Sequence, residues 1–194
     1  MKPDETCAAI LLAAGASSRF GGDKLAAKIN DEKVLERSAK ALADAGCDMR
    51  AAIISETSKV HAPLLQNLGF EIIVNAHAHE GMSASLRAGI EWASDHNALC
   101  VLIALADMPF APPAHLRSLL HSSQKCEERA AFTACGARRS PPAVFGSQWF
   151  ETLRALKGDA GARDILAGLP ARCAVKAPEK FLRDIDTPQD LDAG

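Results

Sequence analysis

Short runs of apolar residues alternate along the chain with longer stretches in which apolar residues recur at helical spacing. The apolar runs have the length of β-strands and occupy residues 7–13, 51–55, 71–74, 98–105, 130–134 and 143–145. Most of them are continuously apolar, which is typical of strands that are covered on both faces, as in a parallel sheet.

Between these runs, apolar residues three and four positions apart predict helices. Residues 34–45 place Val34, Leu35 and Leu42 on one face, and Gly46 is positioned to end the helix. Further helices are predicted around residues 64–68, 86–93, 116–120, 148–156 and 162–167, whereas the basic, proline-containing residues 138–142 predict a loop. Strand–helix–strand repetition predicts an α/β fold of three layers, doubly wound around a mostly parallel sheet.

Composition narrows the class of protein. The 194 residues are 48% hydrophobic and 24% charged, which suits one globular domain spanning residues 1–194. A net charge of −2 provides no general attraction for nucleic acid or acidic membranes, so we expect neither as a partner. The first apolar run is much shorter than the ~20 residues of a membrane helix, and it follows Asp4 and Glu5 rather than basic residues, so we expect a cytoplasmic protein.

The six cysteines are scattered along the chain without a Cys-x-x-Cys pair. Cys7, Cys100, Cys135 and Cys173 fall within predicted strands, where a free thiol behaves as a small hydrophobic group. We therefore expect buried structural thiols.

The segment after the first strand, residues 11–24, is rich in small residues and ends in cationic ones. Small residues let the backbone approach a ligand closely, and Arg19 and Lys24 supply positive charge for a polyphosphate. The spacing differs from a Walker A loop, because Phe20 stands where the second glycine is required, and it also lacks the Gly-x-Gly of dinucleotide-binding loops. A tight turn with two solvated cations is the alternative. The candidate binding residues are Leu12, Ala13, Ala14, Gly15, Ser17, Arg19 and Lys24.

Two acidic segments are candidates for binding a metal. Asp107 directly follows the strand predicted at residues 98–105, and a carboxylate at the end of a strand is a natural Mg²⁺ ligand. Asp184 and Asp186 alternate along a second strand-like piece near residues 181–186, so both are predicted to point the same way. Either of these two carboxylates can be the second ligand, and capping of a turn is the alternative for Asp107.

Two further segments carry polar groups suited to a ligand. Gly81, Ser83 and Ser85 lie at a predicted helix start, where hydroxyls and free N–H groups are available, although Ser83 alone can serve as a helix cap. Asp159 lies in a glycine-flanked turn, and Arg163 offers a planar fork for an acceptor phosphate or, alternatively, pairs with a neighbouring acid on the surface.

The run from Leu12 to Lys24, Leu-Ala-Ala-Gly-x-Ser-x-Arg-Phe-Gly-x-x-Lys, resembles the signature of nucleotidyltransferases with a Rossmann-like fold. Three further motifs look like the molybdenum cofactor cytidylyltransferase branch: Gly-Met-Ser-x-Ser-Leu from residue 81, the Pro-x-x-Phe strand from Pro142, and Gly-Asp-x-Gly-Ala-Arg at residues 158–163. The resemblance runs from about residue 8 to residue 191.

This resemblance implies roles for the candidate residues. Arg19 and Lys24 would stabilise the triphosphate, Asp107 would act with them in catalysis, and Asp107 and Asp186 would hold Mg²⁺. Residues from about 7 to 110 would bind the nucleotide, and Gly81, Ser83 and Ser85 would contact its nucleoside. Residues from about 111 to 194 would bind the acceptor. The residues that would border the acceptor pocket are Pro142, Asp159 and Arg163.

The implied reaction joins CTP to a molybdopterin-type acceptor and releases pyrophosphate, with a molybdoenzyme or its chaperone as a further partner. The base follows from Ala13-Ala14-Gly15, because the cytidylyl branch carries Leu-Ala-Ala-Gly where the guanylyl branch carries Leu-Ala-Gly-Gly. A guanylyl- or sugar-phosphate nucleotidyltransferase and a non-catalytic nucleotide-binding accessory protein remain the alternatives.

Overall fold

The computed structural model describes residues 6–15, 20–158 and 162–193, which form a seven-stranded sheet with helices on both faces. The strands are β1 (Cys7–Ala13), β2 (Lys28–Ile29), β3 (Glu32–Lys33), β4 (Met49–Ile54), β5 (Glu71–Val74), β6 (Cys100–Leu105), β7 (Ala130–Cys135), β8 (Arg138–Gly146) and β9 (Ala174–Lys176). In the main sheet their order is β5-β4-β1-β6-β8-β7-β9, and β2 pairs with β3 in a separate ribbon.

All strands of the main sheet except β8 run in the same direction. β1 pairs in parallel with β4 and β6, with Ala9 opposite Arg50 on one side and Leu102 on the other. β8 pairs antiparallel with both β6 and β7, and β7 pairs in parallel with β9. The carboxyl ends of these parallel strands therefore meet at one edge of the sheet, called here the carboxyl edge, and their first residues lie at the opposite, amino edge.

Helices cover both faces of the sheet. The α-helices are α1 (Val34–Ala43), α2 (Ala62–Asn67), α3 (Met82–Asp95), α4 (Pro113–Lys125), α5 (Phe150–Arg154) and α6 (Arg163–Gly168). Short 3₁₀ turns occupy Glu56–His61, Ala78–Glu80, Ser147–Trp149, Ala171–Cys173, Glu179–Leu182 and Pro188–Ala193. None of the helices in the described ranges has the length and apolar character needed to cross a bilayer.

The side chains on the two faces of β1 belong to two separate hydrophobic cores. Ala9 and Leu11 pack with α1, α2 and α4 on one face, and Ile10 and Leu12 pack with α3, α5 and α6 on the other. Because successive residues of a strand point to opposite faces, an apolar run is required here, and this is the pattern seen in the sequence. The predicted three-layer, doubly wound α/β fold is confirmed.

The loop predicted at residues 138–142 is wrong, because these residues begin β8. Phe132 pairs with Ala143 and the next residue of β7, Thr133, pairs with Ser140, so the two prolines between them lie in an irregularity of the ladder. Proline has no N–H to donate, and a bulge is a position where a strand tolerates it. The Thr133 hydroxyl donates instead to the carbonyl oxygen of Pro142 at 2.8 Å.

Two other strand predictions are also wrong. Residues 181–186 form the end of a 3₁₀ turn and an irregular extended segment, because the N–H of Ile185 bonds to the Asp107 carbonyl oxygen at 2.9 Å instead of to a strand ladder. Cys173 lies in the turn directly before β9 rather than within a strand. The cysteines in the described ranges are free thiols, and all of them except Cys135 are buried, as predicted for most of them.

At Gly89 the backbone of α3 lies close against the sheet. A Cβ at this position would lie 2.8 Å from Ile10 Cγ2 and 3.4 Å from Ile53 Cγ1, and both isoleucines are fully buried. We expect Gly89→Val to lower the free energy of unfolding by about 2–3 kcal/mol because the core must shift to admit the side chain. Urea denaturation measures the loss, and Gly168→Val is the control, since a Cβ on Gly168 meets no atom within 4 Å. Equal losses in both variants would contradict the proposed clash.

His115 is a buried histidine that is held by a hydrogen bond inside the fold. The Thr133 hydroxyl donates its hydrogen to the Pro142 carbonyl, so it accepts from His115 Nε2, at 2.9 Å. Burial lowers the pKa of His115 below its ordinary value. The folded protein therefore binds fewer protons at His115 than the unfolded chain does when the pH falls below the ordinary histidine pKa of about 6.5.

We accordingly expect the free energy of unfolding to decrease as the pH falls below about 6.5, and His115→Gln to weaken this dependence. Urea unfolding of both proteins at about pH 7.5 and about pH 5.5 measures the difference. His121→Gln is the control, because His121 is exposed on the same helix. The same pH dependence in His115→Gln and in the wild type would show that another group is responsible.

Candidate active site

A cavity of about 580 Å³ opens at the carboxyl edge of the sheet. Its walls come from the ends of β1, β4, β5 and β6 and from the start of α3, as expected for a ligand site in a doubly wound fold. The lining residues are Leu12, Ala13, Ala14, Gly15, Lys24, Leu25, Ser55, Glu56, Thr57, Asn75, Ala76, Ala78, His79, Gly81, Met82, Ser85, Leu105, Ala106 and Asp107. The glycine-rich segment and the start of α3, which were both predicted to bind the nucleotide, therefore line the same cavity.

Lys24 and two carboxylates form a charged cluster at this cavity. Lys24 Nζ lies 2.6 Å from Asp107 Oδ2 and 3.3 Å from Asp186 Oδ1. The Lys24 side chain is only 10% exposed. Burial alone would lower the pKa of Lys24, but the charges and hydrogen bonds of Asp107 and Asp186 outweigh it and raise the pKa above its ordinary value. Lys24 is therefore held as a cation.

Asp107 is held in place by the backbone that precedes it. The Ala106 N–H donates to the Leu12 carbonyl at 3.0 Å, which extends the pairing with β1 one residue beyond the end of β6. The hydroxyl of Ser38, buried in α1, donates to the Ala106 carbonyl at 2.9 Å. Sequence analysis did not single out Ser38, because a polar residue on the apolar face of a helix gives no indication of its distant partner.

The segment that carries Asp186 is fixed beside Asp107 by backbone hydrogen bonds. Ile185 N–H donates to the Asp107 carbonyl, and the Asp190 carboxylate accepts from the N–H groups of Asp186 and Thr187 at 3.1 and 2.7 Å. The Thr187 bonds, chiefly to its backbone, hold the pKa of Asp190 below its ordinary value. Between the two candidate aspartates, the structure brings Asp186 to Lys24, whereas Asp184 lies 4.0 Å from Arg138.

The turn that presents Lys24 depends on a buried histidine. Asp23 Oδ1 accepts from the N–H groups of Leu25 and Ala26 at 3.1 and 3.3 Å. Asp23 Oδ2 lies 2.9 Å from Nε2 of His61, which is buried at the end of a 3₁₀ turn. Because Asp23 fixes the backbone next to Lys24, His61 supports the position of the Lys24 ammonium. His61 was missed by sequence analysis, since nothing in its neighbourhood along the chain connects it to the glycine-rich segment.

The start of α3 forms another wall of the cavity. Gly81 has a φ of 108°, a conformation in which a glycine is strongly favoured, and it precedes the first residue of the helix. Ser85 lines the cavity, and its hydroxyl accepts from Asn75 Nδ2 at 3.1 Å. Ser83 is 1% exposed and is absent from the lining, and its hydroxyl has no hydrogen-bond partner within the described parts of the chain. Ser83 therefore neither caps the helix nor reaches the cavity.

Two of the three residues predicted for the acceptor are not brought to this cavity. Pro142 is buried within β8, and Arg163 is exposed at the start of α6; neither lines the cavity. Asp159 lies outside the described residues, as do Ser17 and Arg19 of the glycine-rich segment.

The donor set at Lys24 fits a divalent cation. Asp107 and Asp186 both direct a carboxylate oxygen at the same positively charged atom, Lys24 Nζ, so this corner of the cavity favours cations. Carboxylate oxygens are the ligands that Mg²⁺ takes, together with phosphate oxygens and water. The two carboxylates are therefore suited to the magnesium ion predicted from the sequence.

Comparison with known proteins bears on this arrangement. Residues 9–174 match the MobA-like NTP transferase domain, a range that includes most of β1, Lys24, β6 and Asp107. The chain belongs to the MobA-like NTP transferase family. It is also 31% identical over 195 residues to the purine catabolism protein PucB of Bacillus subtilis (strain 168), with 94% of this chain and 93% of PucB aligned.

Several solved structures share the fold of this chain over nearly its whole length. Rv0371c from Mycobacterium tuberculosis superimposes with a TM-score of 0.82 and 23% identity, covering 97% of this chain and 96% of that one. A nucleotidyl transferase from Methanothermobacter gives a TM-score of 0.80 and 22% identity, covering 97% and 95%. Rv0371c has also been solved as a complex with manganese, at a TM-score of 0.76, 22% identity and 97% coverage of both chains. At these identities the likeness establishes the fold.

Proposed function

We propose that this chain is a Mg²⁺-dependent nucleotidyltransferase that transfers the cytidylyl group of CTP to a molybdopterin-type acceptor and releases pyrophosphate. The observation that carries the proposal is the contact of Lys24 with both Asp107 and Asp186 at a cavity lined by the glycine-rich segment. Membership of the MobA-like NTP transferase family supports the reaction class.

In the proposed reaction an oxygen of the acceptor phosphate attacks the α-phosphorus of CTP, and the bond to pyrophosphate breaks. Negative charge spreads over the phosphate oxygens in the transition state, and groups that are already fixed and charged stabilise it. Lys24 is such a group, because its ammonium is nearly buried and is held by two carboxylates. The backbone from Ala13 to Gly15 lines the same cavity and lets the phosphates approach closely.

Asp107 and Asp186 would hold the divalent cation. While the cation is bound, the two carboxylates would also continue to position Lys24. When bound, Mg²⁺ would neutralise phosphate oxygens and help to orient the triphosphate. The backbone bond from Ile185 to Asp107 ties the two carboxylates together, so they present a defined pair of ligands. The two side chains are 22% and 41% exposed, which leaves room for phosphate oxygens and water.

CTP is proposed as the nucleotide because Ala13 and Ala14 form the cavity wall at the end of β1. A methyl group in place of a glycine hydrogen narrows the space for a base, although one methyl group discriminates by only about 1–3 kcal/mol. Ser55, Thr57 and Ser85 line the cavity and supply hydroxyls that can bond to a base or ribose.

The function is tested by measuring pyrophosphate release with CTP, GTP, ATP and UTP in turn, each with molybdopterin and with several sugar phosphates as acceptors. We expect turnover with CTP and molybdopterin. A preference for GTP would overturn the base, and turnover with a sugar phosphate alone would overturn the acceptor. GTP and ATP are informative for a further reason, because the relative PucB is named for purine catabolism.

The alternative of a non-catalytic nucleotide-binding accessory protein predicts a different pair of results. CTP with magnesium would raise the melting temperature, but no acceptor would support pyrophosphate release. In that case Asp107→Ala would retain most of the stabilisation by CTP. The nucleotidyltransferase proposal requires both the stabilisation and the product.

A further inference from the structure

Two cysteines and a glutamate converge at the amino edge of the sheet, opposite the candidate active site. Cys126 follows the last residue of α4, Glu128 lies in the loop before β7, and Cys173 ends the turn before β9. Cys126 Sγ lies 2.7 Å from Cys173 Sγ and 2.9 Å from Glu128 Oε2, and Cys173 Sγ lies 3.4 Å from the same oxygen. The three side chains form one cluster, called here the amino-edge thiol cluster.

The separation of the two sulfur atoms distinguishes the chemistry open to this cluster. Two thiolates on a tetrahedral zinc ion, with bonds of about 2.3 Å each, would lie about 3.8 Å apart. Cys126 Sγ and Cys173 Sγ lie 2.7 Å apart, inside that separation, so a small movement of the two side chains would bring the sulfurs to the ~2.05 Å of a covalent bond. Glu128 is already paired with Arg172. We therefore argue for joining of the sulfurs, and zinc binding by the same three side chains is the alternative that the test below must separate.

The two thiols differ in access. Cys126 lines a surface cavity of about 420 Å³ together with Ser122, Lys125, Glu127 and Arg172. Cys173 is 0% exposed, and burial, together with its contacts to Cys126 and Glu128, raises the pKa of its thiol. Cys126 is itself 7% exposed, so a reagent in solution can reach Cys126 before it reaches Cys173.

We propose that Cys126 and Cys173 are a site of reversible oxidation, at which a small-molecule disulfide such as oxidised glutathione converts the two thiols to a disulfide bond. The Cys126 sulfur attacks one sulfur of the small disulfide, forms a mixed disulfide and releases the first small thiol. The Cys173 thiol then gives up its proton to the departing small thiolate while its sulfur attacks Cys126 Sγ, which forms the internal bond and releases the second small thiol. Two electrons pass from the cysteine pair to the small disulfide, and the two cysteine protons leave on the two small thiols.

The bond would connect the end of α4 to the turn before β9, closing a loop between positions 47 apart in the chain. Closing a loop restricts the unfolded chain, so the oxidised protein is expected to melt about 5–10 °C higher than the reduced one. The cluster lies at the starts of β7 and β9, whereas the candidate active site lies at the carboxyl edge. Nucleotide binding is accordingly expected to stay within about twofold of that of the reduced protein, because none of the three cluster residues lines the cavity.

The test treats the full chain with oxidised glutathione and counts free thiols after denaturation, with peptide mapping by mass spectrometry to locate any new bond. We expect the wild type to lose two of its six thiols and to yield the Cys126–Cys173 crosslink. Cys173→Ser should stop at a glutathione adduct on Cys126, and Cys126→Ser should keep its remaining thiols. Cys47→Ser is the matched control, because Cys47 and Cys7 form another buried pair but at 3.9 Å, and it should still form the crosslink.

Three results would overturn the proposal. The first is retention of all thiols under conditions that oxidise a reference dithiol. The second is a crosslink that maps to Cys7 and Cys47. The third is the binding of one zinc ion per protein molecule by the wild type but not by Cys126→Ser, which would make the cluster a metal site. The absence of pyrophosphate release would leave this proposal intact, since none of its readouts depends on the proposed transferase activity.

Discussion

Asp107→Ala is expected to abolish detectable pyrophosphate release, a loss of more than about 10³-fold in kcat. The variant removes one of the two carboxylates that converge on Lys24, and with it a proposed ligand of the divalent cation. The Asp107 carbonyl still accepts from Ile185 N–H, because that bond uses only the backbone. The fold and the position of Asp186 should therefore survive, so the loss would reflect chemistry rather than unfolding.

The matched control for this variant is Asp184→Ala. Asp184 lies in the same segment as Asp186 but approaches Arg138 at 4.0 Å instead of Lys24. We expect its kcat to stay within about threefold of the wild type, since an exposed ion pair contributes little. Initial rates of pyrophosphate release at saturating CTP and Mg²⁺ measure both variants. Turnover like that of the wild type in Asp107→Ala would remove Asp107 from the active site.

Lys24→Met is expected to reduce kcat by about 10²–10³-fold, because it removes a fixed positive charge from the phosphates while keeping most of the length of the side chain. It has a second consequence that does not depend on activity. Without the ammonium, Asp107 and Asp186 face each other as like charges, which disfavours the folded protein. A divalent cation relieves that repulsion, so the rise in melting temperature on adding Mg²⁺ should be larger in Lys24→Met than in the wild type.

Differential scanning fluorimetry with and without Mg²⁺, on protein treated with a chelator, measures this difference. Lys28→Met is the control, because Lys28 is an exposed lysine in β2 close to Lys24 in the chain. An equal response to Mg²⁺ in Lys24→Met and Lys28→Met would mean that the two carboxylates do not bind the ion. Normal turnover in Lys24→Met would contradict the role of Lys24 independently of the metal.

The architecture was predictable because β1, β4 and β6, which build most of the carboxyl edge, are largely buried on both faces. Their continuous apolar composition is a direct consequence of that burial, and the glycine-rich segment and Asp107 follow the ends of two of them. The predicted structure is wrong where a tertiary contact decides the local structure. Residues 138–142 form part of β8 although they contain two prolines, because the pairing with β7 shifts register opposite them.

The residues that hold the site in position could not be predicted from the sequence for a related reason. Ser38 and His61 are polar residues on helical segments, and each is buried because it bonds to the backbone or side chain of a residue far away in the chain. Their partners, Ala106 and Asp23, become neighbours only after the sheet forms. The choice between Asp184 and Asp186 was likewise left open, because the segment that carries them was expected to be a strand and is not one.

The order in which the cluster residues occur along the chain has a consequence for protein synthesis. Lys24 and Asp107 are 83 positions apart, and Lys24 and Asp186 are 162 positions apart. Lys24 and Asp107 therefore emerge from the ribosome well before Asp186 does. β1, β4, β5 and β6 all precede residue 107, so they can emerge and pair while Asp186 is still inside the ribosome. In a cell, the charged cluster can therefore form only after the strands of the carboxyl edge have been synthesised and residue 186 has followed them.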